Sequence, residues 1–150
     1  MLKQSDFFHG VLLSKLLDNC ELKIRKHDYF SAYIINDKAY YIKYTTTRIS
    51  PWTFTFSESH IAEIVSLRST FEEVFVVLIC NDDGVCCLNF DEFRTVIAVE
   101  NMNFPKWIKA IRQKREKYSV SGSDGKLSYK IGDNCLQQSI VNNEEIQCTS

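Results

Sequence analysis

Glycine and proline are scarce in this chain of 150 residues, which contains five glycines and two prolines. Such low numbers argue against a disordered or repetitive sequence. An excess of charge is lacking as well, because 18 Lys and Arg residues nearly balance 19 Asp and Glu residues, for a formal net charge of −1. The overall charge therefore gives no indication of a protein that binds nucleic acid through electrostatics alone.

Long apolar segments are also absent, and no run approaches the roughly 18 residues that a membrane span requires. The N-terminal segment could pass for a signal peptide, but Asp6, His9 and Lys15 interrupt its apolar part, and no small-residue cleavage site follows. We therefore expect a cytoplasmic protein that does not interact with membranes.

The six cysteines lack the spacing of a metal site or of a redox pair, since no Cys-x-x-Cys pair occurs. Cys80, Cys86 and Cys87 lie in apolar runs, which predicts small buried side chains in a reducing compartment. The sequence also contains no nucleophile elbow, P-loop or dinucleotide fingerprint. We predict no metal, no cofactor and no catalytic residue, which favours a binding protein over an enzyme.

The length and the apolar content indicate one domain. A chain of this size buries roughly 70% of the surface that it exposes when unfolded, and 45% of its residues are hydrophobic. Apolar periodicity predicts helices over about 6–19, 58–68 and 90–98. It predicts strands over about 22–26, 30–36, 39–46, 52–56, 74–80, 85–89, 107–121 and 127–131.

The strands come in consecutive runs, which predicts an α+β fold with a mixed or mainly antiparallel sheet and about three helices. We place this single domain at 1–134 and predict a polar, flexible C-terminal tail at 135–150.

Several local patterns support the predicted elements. The Asn-Asp-Lys sequence at 36–38 predicts a hairpin turn, because Asn and Asp tolerate positive φ. The continuous apolar run at 74–80 predicts a central strand, and a capping box at 89–92 predicts a helix start. Ser57 is the predicted N-cap of the second helix. The predicted buried stripe of that helix consists of Ile61, Ile64, Val65 and Leu67.

A first candidate binding site lies around the segment Tyr-Tyr-Ile-Lys-Tyr-Thr-Thr-Thr-Arg-Ile-Ser-Pro-Trp at 40–52. Lys43 and Arg48 could bind phosphate or carboxylate, Trp52 could stack on a base or a cation, and Ser50 would complete the contact surface. The alternative is that Trp52 belongs to the core while the two cations are solvated. Both interpretations remain open at this point.

A second candidate is the basic segment at 106–118, which carries Trp107 and Tyr118 near its ends. A basic strand with aromatic residues is typical of a nucleic-acid interface, and the alternative is a solvated edge strand protected by charge. The candidate nucleic-acid ligands are Lys106, Lys109, Arg112, Lys114 and Arg115.

The predicted order helix, three strands, helix and strand over residues 6–80 resembles the core of restriction-endonuclease-like nucleases. That resemblance implies an acid-x-Lys sequence on one strand that holds Mg²⁺. Here the corresponding residues are Tyr41, Ile42 and Lys43, so the lysine is present and the acid is missing. A tyrosine does not replace a carboxylate as a Mg²⁺ ligand, which favours an inactive nucleic-acid-binding derivative over an active nuclease.

The block Ser-Pro-Trp-Thr-Phe-Thr-Phe at 50–56 resembles a group of short bacterial proteins that have no established activity. The likeness extends over about 7–132 and includes the lysine-bearing strand, the apolar strand before a hairpin and the late Ser-Gly-Ser turn. It implies a bacterial, intracellular, stand-alone domain of a kind associated with mobile or defence-related DNA.

Three functions follow as hypotheses. The first is a small binding protein whose ligand is a protein partner or a phosphate-bearing molecule, as an accessory component of a bacterial defence or mobile-element system. The second is the nuclease-like protein or its nucleic-acid-binding derivative. The third is an immunity-type or antitoxin-type partner protein. The sequence does not distinguish oligomeric states.

Overall fold

Two parallel strands lie at the centre of the structure, a computed structural model that describes residues 7–10, 24–26, 31–100 and 103–141. β3 (Lys38–Thr45) pairs in parallel with β5 (Val74–Cys80) along its length. All seven residues of β5 are buried, as its apolar sequence predicts. Since parallel strands are stable mainly where both sheet faces are covered, the remaining elements pack as layers on either side.

The parallel pair belongs to a five-stranded mixed sheet with the order β1-β2-β3-β5-β6. Its other strands are β1 (Ile24–Lys26), β2 (Ala32–Ile35) and β6 (Gly84–Asn89). β2 and β3 form the predicted hairpin around Asn36 and Asp37, whose φ angles are 49° and 68°. Positive φ at both positions is what a two-residue hairpin turn requires, so the prediction from Asn and Asp is confirmed.

A second sheet is antiparallel throughout, with the order β4-β7-β8-β9. Its strands are β4 (Trp52–Phe56), β7 (Lys106–Ile111), β8 (Ser119–Gly122) and β9 (Gly125–Lys126).

The helices are α1 at 7–10, α2 (Glu58–Thr70), α3 (Phe90–Val96) and α4 (Cys135–Val141). The predicted α+β class is confirmed. The rest of the helix predicted at 6–19 lies outside the described residues.

The second sheet covers one face of the mixed sheet. On that face, the side chains of β3 and β5 share a core with α2, α3 and the inner residues of β4 and β7. The opposite face of the mixed sheet packs against Phe8 of α1 and against Leu136 and Ile140 of α4. Only one face of the second sheet is therefore buried, and its strands alternate between buried and solvent-facing residues.

The start of α2 is as predicted, but one residue of its core stripe is not. Ser57 is the N-cap, while Ile61, Ile64 and Leu67 are buried. Val65 is 40% exposed, so its assignment to the core is wrong. In a helix of 3.6 residues per turn, Val65 points about 100° away from the centre of the buried stripe.

The long strand predicted at 107–121 is also wrong. β7 ends at Ile111 and β8 begins at Ser119, and the connecting residues leave the sheet because Arg112 is held by carboxylates from other segments. In place of the strand predicted at 127–131, the structure has a single bridge between Ile131 and Tyr118, and β9 ends at Lys126.

The C-terminal boundary predicted at residue 134 is wrong as well, because α4 begins at Cys135. Leu136 and Ile140 are buried, and this single apolar pair at i, i+4 is easily missed in a polar sequence. Lys38 donates a 2.6 Å hydrogen bond to the Ser139 carbonyl, which fastens the helix to β3. Residues 142–150 of the predicted tail lie outside the described residues.

The β8–β9 hairpin approaches the end of α3 closely at two glycines. A Cβ atom at Gly122 would overlap the Val96 carbonyl, and one at Gly125 would overlap the Thr95 carbonyl. Because backbone atoms cannot rotate away as a side chain can, these contacts fix the distance between α3 and the inner face of the second sheet.

We expect Gly122→Ala to lower the free energy of unfolding by about 2–3 kcal/mol, because the hairpin and α3 must separate to admit one methyl group. Urea denaturation measures this change. Ser121→Ala is the control, because Ser121 lies on the opposite face of the same strand, and its effect should stay within about 0.5 kcal/mol. Equal stability of Gly122→Ala and Ser121→Ala would show that the close approach does not constrain the fold.

Candidate functional site

Lys43 lies on the side of β3 that faces α2 and is half-buried. Its Nζ atom is 3.2 Å from His60 Nδ1 and 5.2 Å from the centre of the Phe56 ring. Burial lowers the pKa of the Lys43 ammonium, and the nearby Glu63 carboxylate opposes that change. The predicted binding lysine therefore already has partners within the protein.

His60 occupies the third helical position of α2 and closes a capping box. Its Nδ1 atom accepts a 3.1 Å hydrogen bond from the Ser57 backbone N–H, and the Ser57 hydroxyl accepts one from the His60 N–H. An atom that accepts from a backbone N–H carries no proton, so the neutral ring has its proton on Nε2. Burial lowers the pKa of His60, Lys43 lowers it further, and Glu63 opposes both.

Two of the other three predicted ligand residues, Ser50 and Trp52, already have partners within the protein. Trp52 is 3% exposed, and its indole N–H donates to the Thr47 carbonyl at 2.9 Å, so it belongs to the core and offers no open ring face. The Ser50 hydroxyl accepts from the Arg112 backbone N–H at 3.3 Å. Arg48 is exposed on the segment that follows β3. The alternating Trp-Thr-Phe-Thr-Phe pattern explains the burial of Trp52.

A buried tyrosine, Tyr41, stands where restriction-endonuclease-like nucleases have the acid of their acid-x-Lys sequence. Tyr41 is 1% exposed, and its hydroxyl donates to Glu63 Oε1 at 2.5 Å. The mixed sheet keeps the order of three strands, a helix and a strand, while β4 is inserted before α2 and belongs to the second sheet. In the described part of the chain, no group of three His, Cys, Asp or Glu side chains is placed to hold a metal ion.

Lys106 points into the core and cannot contact a nucleic acid. Its side chain is 1% exposed and forms a 2.7 Å ion pair with Asp124. Asp124 also accepts a hydrogen bond from the Ala98 N–H at 2.8 Å. Desolvation alone would raise the pKa of the Asp124 carboxyl, but the bonds from Lys106 and Ala98 outweigh it and lower that pKa. Residue alternation along β7 is the cause, because Lys106 shares the inner face with Ile108 and Ala110.

Arg112 is likewise a structural residue rather than a nucleic-acid ligand. Its guanidinium donates to Asp83 at 2.7 Å and to Asp133 at 3.1 Å, and only 11% of its side chain is exposed. The same group lies 4.3 Å from the centre of the Tyr118 ring. Its N–H groups donate to these partners and to the carbonyls of Asp83 and Glu116. The guanidinium therefore has no pair of parallel N–H groups left for a bidentate contact with a phosphate.

The other three predicted ligands are accessible. Lys114 and Arg115 are exposed on the connection between β7 and β8, and Lys109 is partly exposed on the solvent side of β7. Lys109 Nζ lies 5.4 Å from the centre of the Trp107 ring, and Trp107 is 37% exposed. The cation and the aromatic ring therefore form a cation–π pair at the surface.

We use the name outer face for the solvent side of the second sheet, which carries eight side chains. They are Thr53, Thr55, Trp107, Lys109, Ile111, Ser119, Ser121 and Lys126. The strand register aligns Thr53, Lys109, Ser121 and Lys126 in one row across all four strands. None of these eight side chains, on the strands that the structure describes, is a carboxylate.

The outer face includes residues that sequence reasoning did not select. Thr53 and Thr55 lie opposite the buried aromatic residues of β4, as alternation along a strand requires, but nothing in the sequence placed β4 beside β7. Lys126 lies outside the predicted strands, because β9 is only two residues long and so short a strand has no recognisable alternation. His60 and Glu63 escaped notice because their partners, Lys43 and Tyr41, lie on another element.

No protein family, curated protein or solved structure shows detectable similarity to this chain. No helix within the described residues is long and apolar enough to cross a membrane.

The Ser57–His60–Lys43 contacts predict loss of stability in acid. Because the pKa of His60 in the folded state lies below its usual 6.5, the unfolded chain takes up its proton first as the pH falls. The stabilising contribution is therefore complete above pH 6.5 and is lost as the pH falls through the pKa of the folded state. Protonated Nδ1 would face the Ser57 N–H and the Lys43 ammonium as a third donor.

The measurement is urea denaturation of the wild type and of His60→Gln at several pH values between about 7.5 and 5. Glutamine can still accept from the Ser57 N–H but does not titrate. We expect the variant to lose less stability over this range than the wild type. Parallel pH profiles of the two proteins would contradict the assignment of the proton to Nε2.

Proposed function

We propose that the protein binds single-stranded nucleic acid on the outer face. The observation that carries this proposal is the composition of that face, on which Lys109 and Lys126 lie in one row and Trp107 lies beside Lys109. None of its eight described side chains is a carboxylate. Two strand spacings separate the two lysines, roughly 10 Å. Charge of one sign beside an aromatic ring is the combination that tracks a sugar–phosphate backbone and stacks a base.

A single strand fits this surface better than a duplex. A duplex hides its base faces, whereas a single strand can place a base on an exposed aromatic ring. Trp107 and Ile111 lie on either side of Lys109 along β7 and are both accessible, at 37% and 43% exposure. Lys114 and Arg115, on the exposed connection after β7, extend the positive charge beyond the end of the strand.

The proposal is a binding activity and not an enzymatic one. It specifies the phosphate-bearing ligand of the first hypothesis as a single-stranded nucleic acid. The proposed contact moves to the outer face from the predicted site, which consisted of Lys43, Arg48, Ser50 and Trp52. The buried tyrosine at position 41 fits a derivative of a nuclease-like core that lacks the acid for Mg²⁺. A cytoplasmic location and a link to bacterial defence or mobile elements remain predictions of the sequence, as does an immunity-type protein partner.

We expect the double variant Lys109→Glu/Lys126→Glu to abolish most of the affinity for single strands, because it reverses both charges of the row. Fluorescence anisotropy with labelled oligonucleotides at salt concentrations between about 50 and 200 mM measures this effect. The plot of log K against log salt should become less steep by about 1.4, since each lost phosphate contact on a single strand contributes about 0.7 to its slope.

The matched control is Arg68→Glu/Arg94→Glu, which makes the same change of net charge on α2 and α3. The arginines are exposed, and both helices pack in the core between the two sheets. Affinity and slope should remain at the wild-type values in this control. If both double variants lost the same affinity, the effect would come from overall charge and not from the outer face. If the wild type did not bind single strands at low salt, the proposed function would be refuted.

A further inference from the structure

We infer that the outer face distinguishes RNA from DNA through three hydroxyl side chains that flank Trp107 and Lys109. The inference rests on the proposed function, because it concerns the same surface and names the class of nucleic acid that binds there. The hydroxyls belong to Thr53 and Thr55 on one neighbouring strand and to Ser121 on the other.

The positions of the ring and the cation fix where a nucleotide would lie. Trp107 and Lys109 are two residues apart on β7 and point to the same side, a separation of about 7 Å along the strand. A base stacked on Trp107 brings its own phosphate toward Lys109, the cation whose Nζ atom lies 5.4 Å from the ring centre. The ribose that joins base and phosphate then lies between these two side chains.

The hydroxyl groups surround that position. Thr55 is directly opposite Trp107, Thr53 is directly opposite Lys109, and Ser121 flanks Lys109 from the other side. Directly opposed residues in an antiparallel pair have Cβ atoms about 5 Å apart. A ribose between Trp107 and Lys109 is therefore within reach of hydroxyls on both neighbouring strands.

These hydroxyls are available to a ligand. Within the described part of the chain, Thr53, Thr55 and Ser121 make no side-chain hydrogen bond to another protein group. A hydroxyl side chain can both donate and accept, as the 2′-hydroxyl of ribose does. Because deoxyribose lacks that group, it gains nothing from the three hydroxyls, whereas stacking on Trp107 and the contact with Lys109 are common to RNA and DNA.

The test compares oligouridylate with oligodeoxyuridylate, each about 12 nucleotides long, by fluorescence anisotropy. The proteins are the wild type and Thr53→Val/Thr55→Val/Ser121→Ala. Valine keeps the shape and the strand preference of threonine, and circular dichroism verifies that the variant is folded. Thr70→Val, at the exposed end of α2, is the matched control and should behave as the wild type.

We expect the wild type to bind the RNA more tightly than the DNA, by about 2- to 10-fold for each hydrogen bond formed. In the triple variant, the RNA affinity should fall to the DNA level while the DNA affinity stays unchanged. Equal binding of RNA and DNA by the wild type would overturn the inference and leave the proposed function intact. A proportional loss for both ligands in the variant would also overturn it, and binding of neither by the wild type would refute both proposals.

Discussion

The parallel pairing of β3 with β5 is the constraint on which the rest of the structure depends. Every residue of β5 is buried, so both faces of the mixed sheet need a cover. The helical residues 7–10 and α4 cover one face, while α2, α3 and the second sheet cover the other. A sheet used as a cover buries only one of its own faces, and the solvent side that remains is the outer face.

Ion pairs also connect the parts of this layered structure. The Lys106–Asp124 ion pair and the Arg112 contacts with Asp83 and Asp133 connect segments that are distant in sequence. The Lys106 side chain is 1% exposed, so removal of Asp124 would leave a buried charge without compensation, which is costly. These cations therefore stabilise the second sheet, while Lys109 and Lys126, on the other side of the same strands, are open to a ligand.

Local patterns in the sequence were enough to predict most elements of the fold. The alternation in β4, the apolar run of β5 and the turn at Asn36 depend on neighbouring residues alone. The site required contacts that no local pattern contains. Lys106 and Lys109 look alike in a basic segment. Alternation along β7 puts them on opposite faces, but which face is buried depends on how the second sheet packs on the rest of the core. Alternation in β4 places Trp52 on the same face as Phe54 and Phe56, but its partner Tyr118, whose ring centre lies 6.0 Å from that of Trp52, is distant in sequence.

Binding of single strands to the outer face is tested most directly by a ¹H–¹⁵N NMR titration of the labelled protein with a short single-stranded oligouridylate. If single strands bind on the outer face, the largest shifts fall on the backbone amides of β7 and on the Trp107 indole N–H, and the signals around Lys43 and His60 stay in place. Shifts concentrated at Lys43 and His60, with none at Trp107, would contradict the assignment of binding to the outer face.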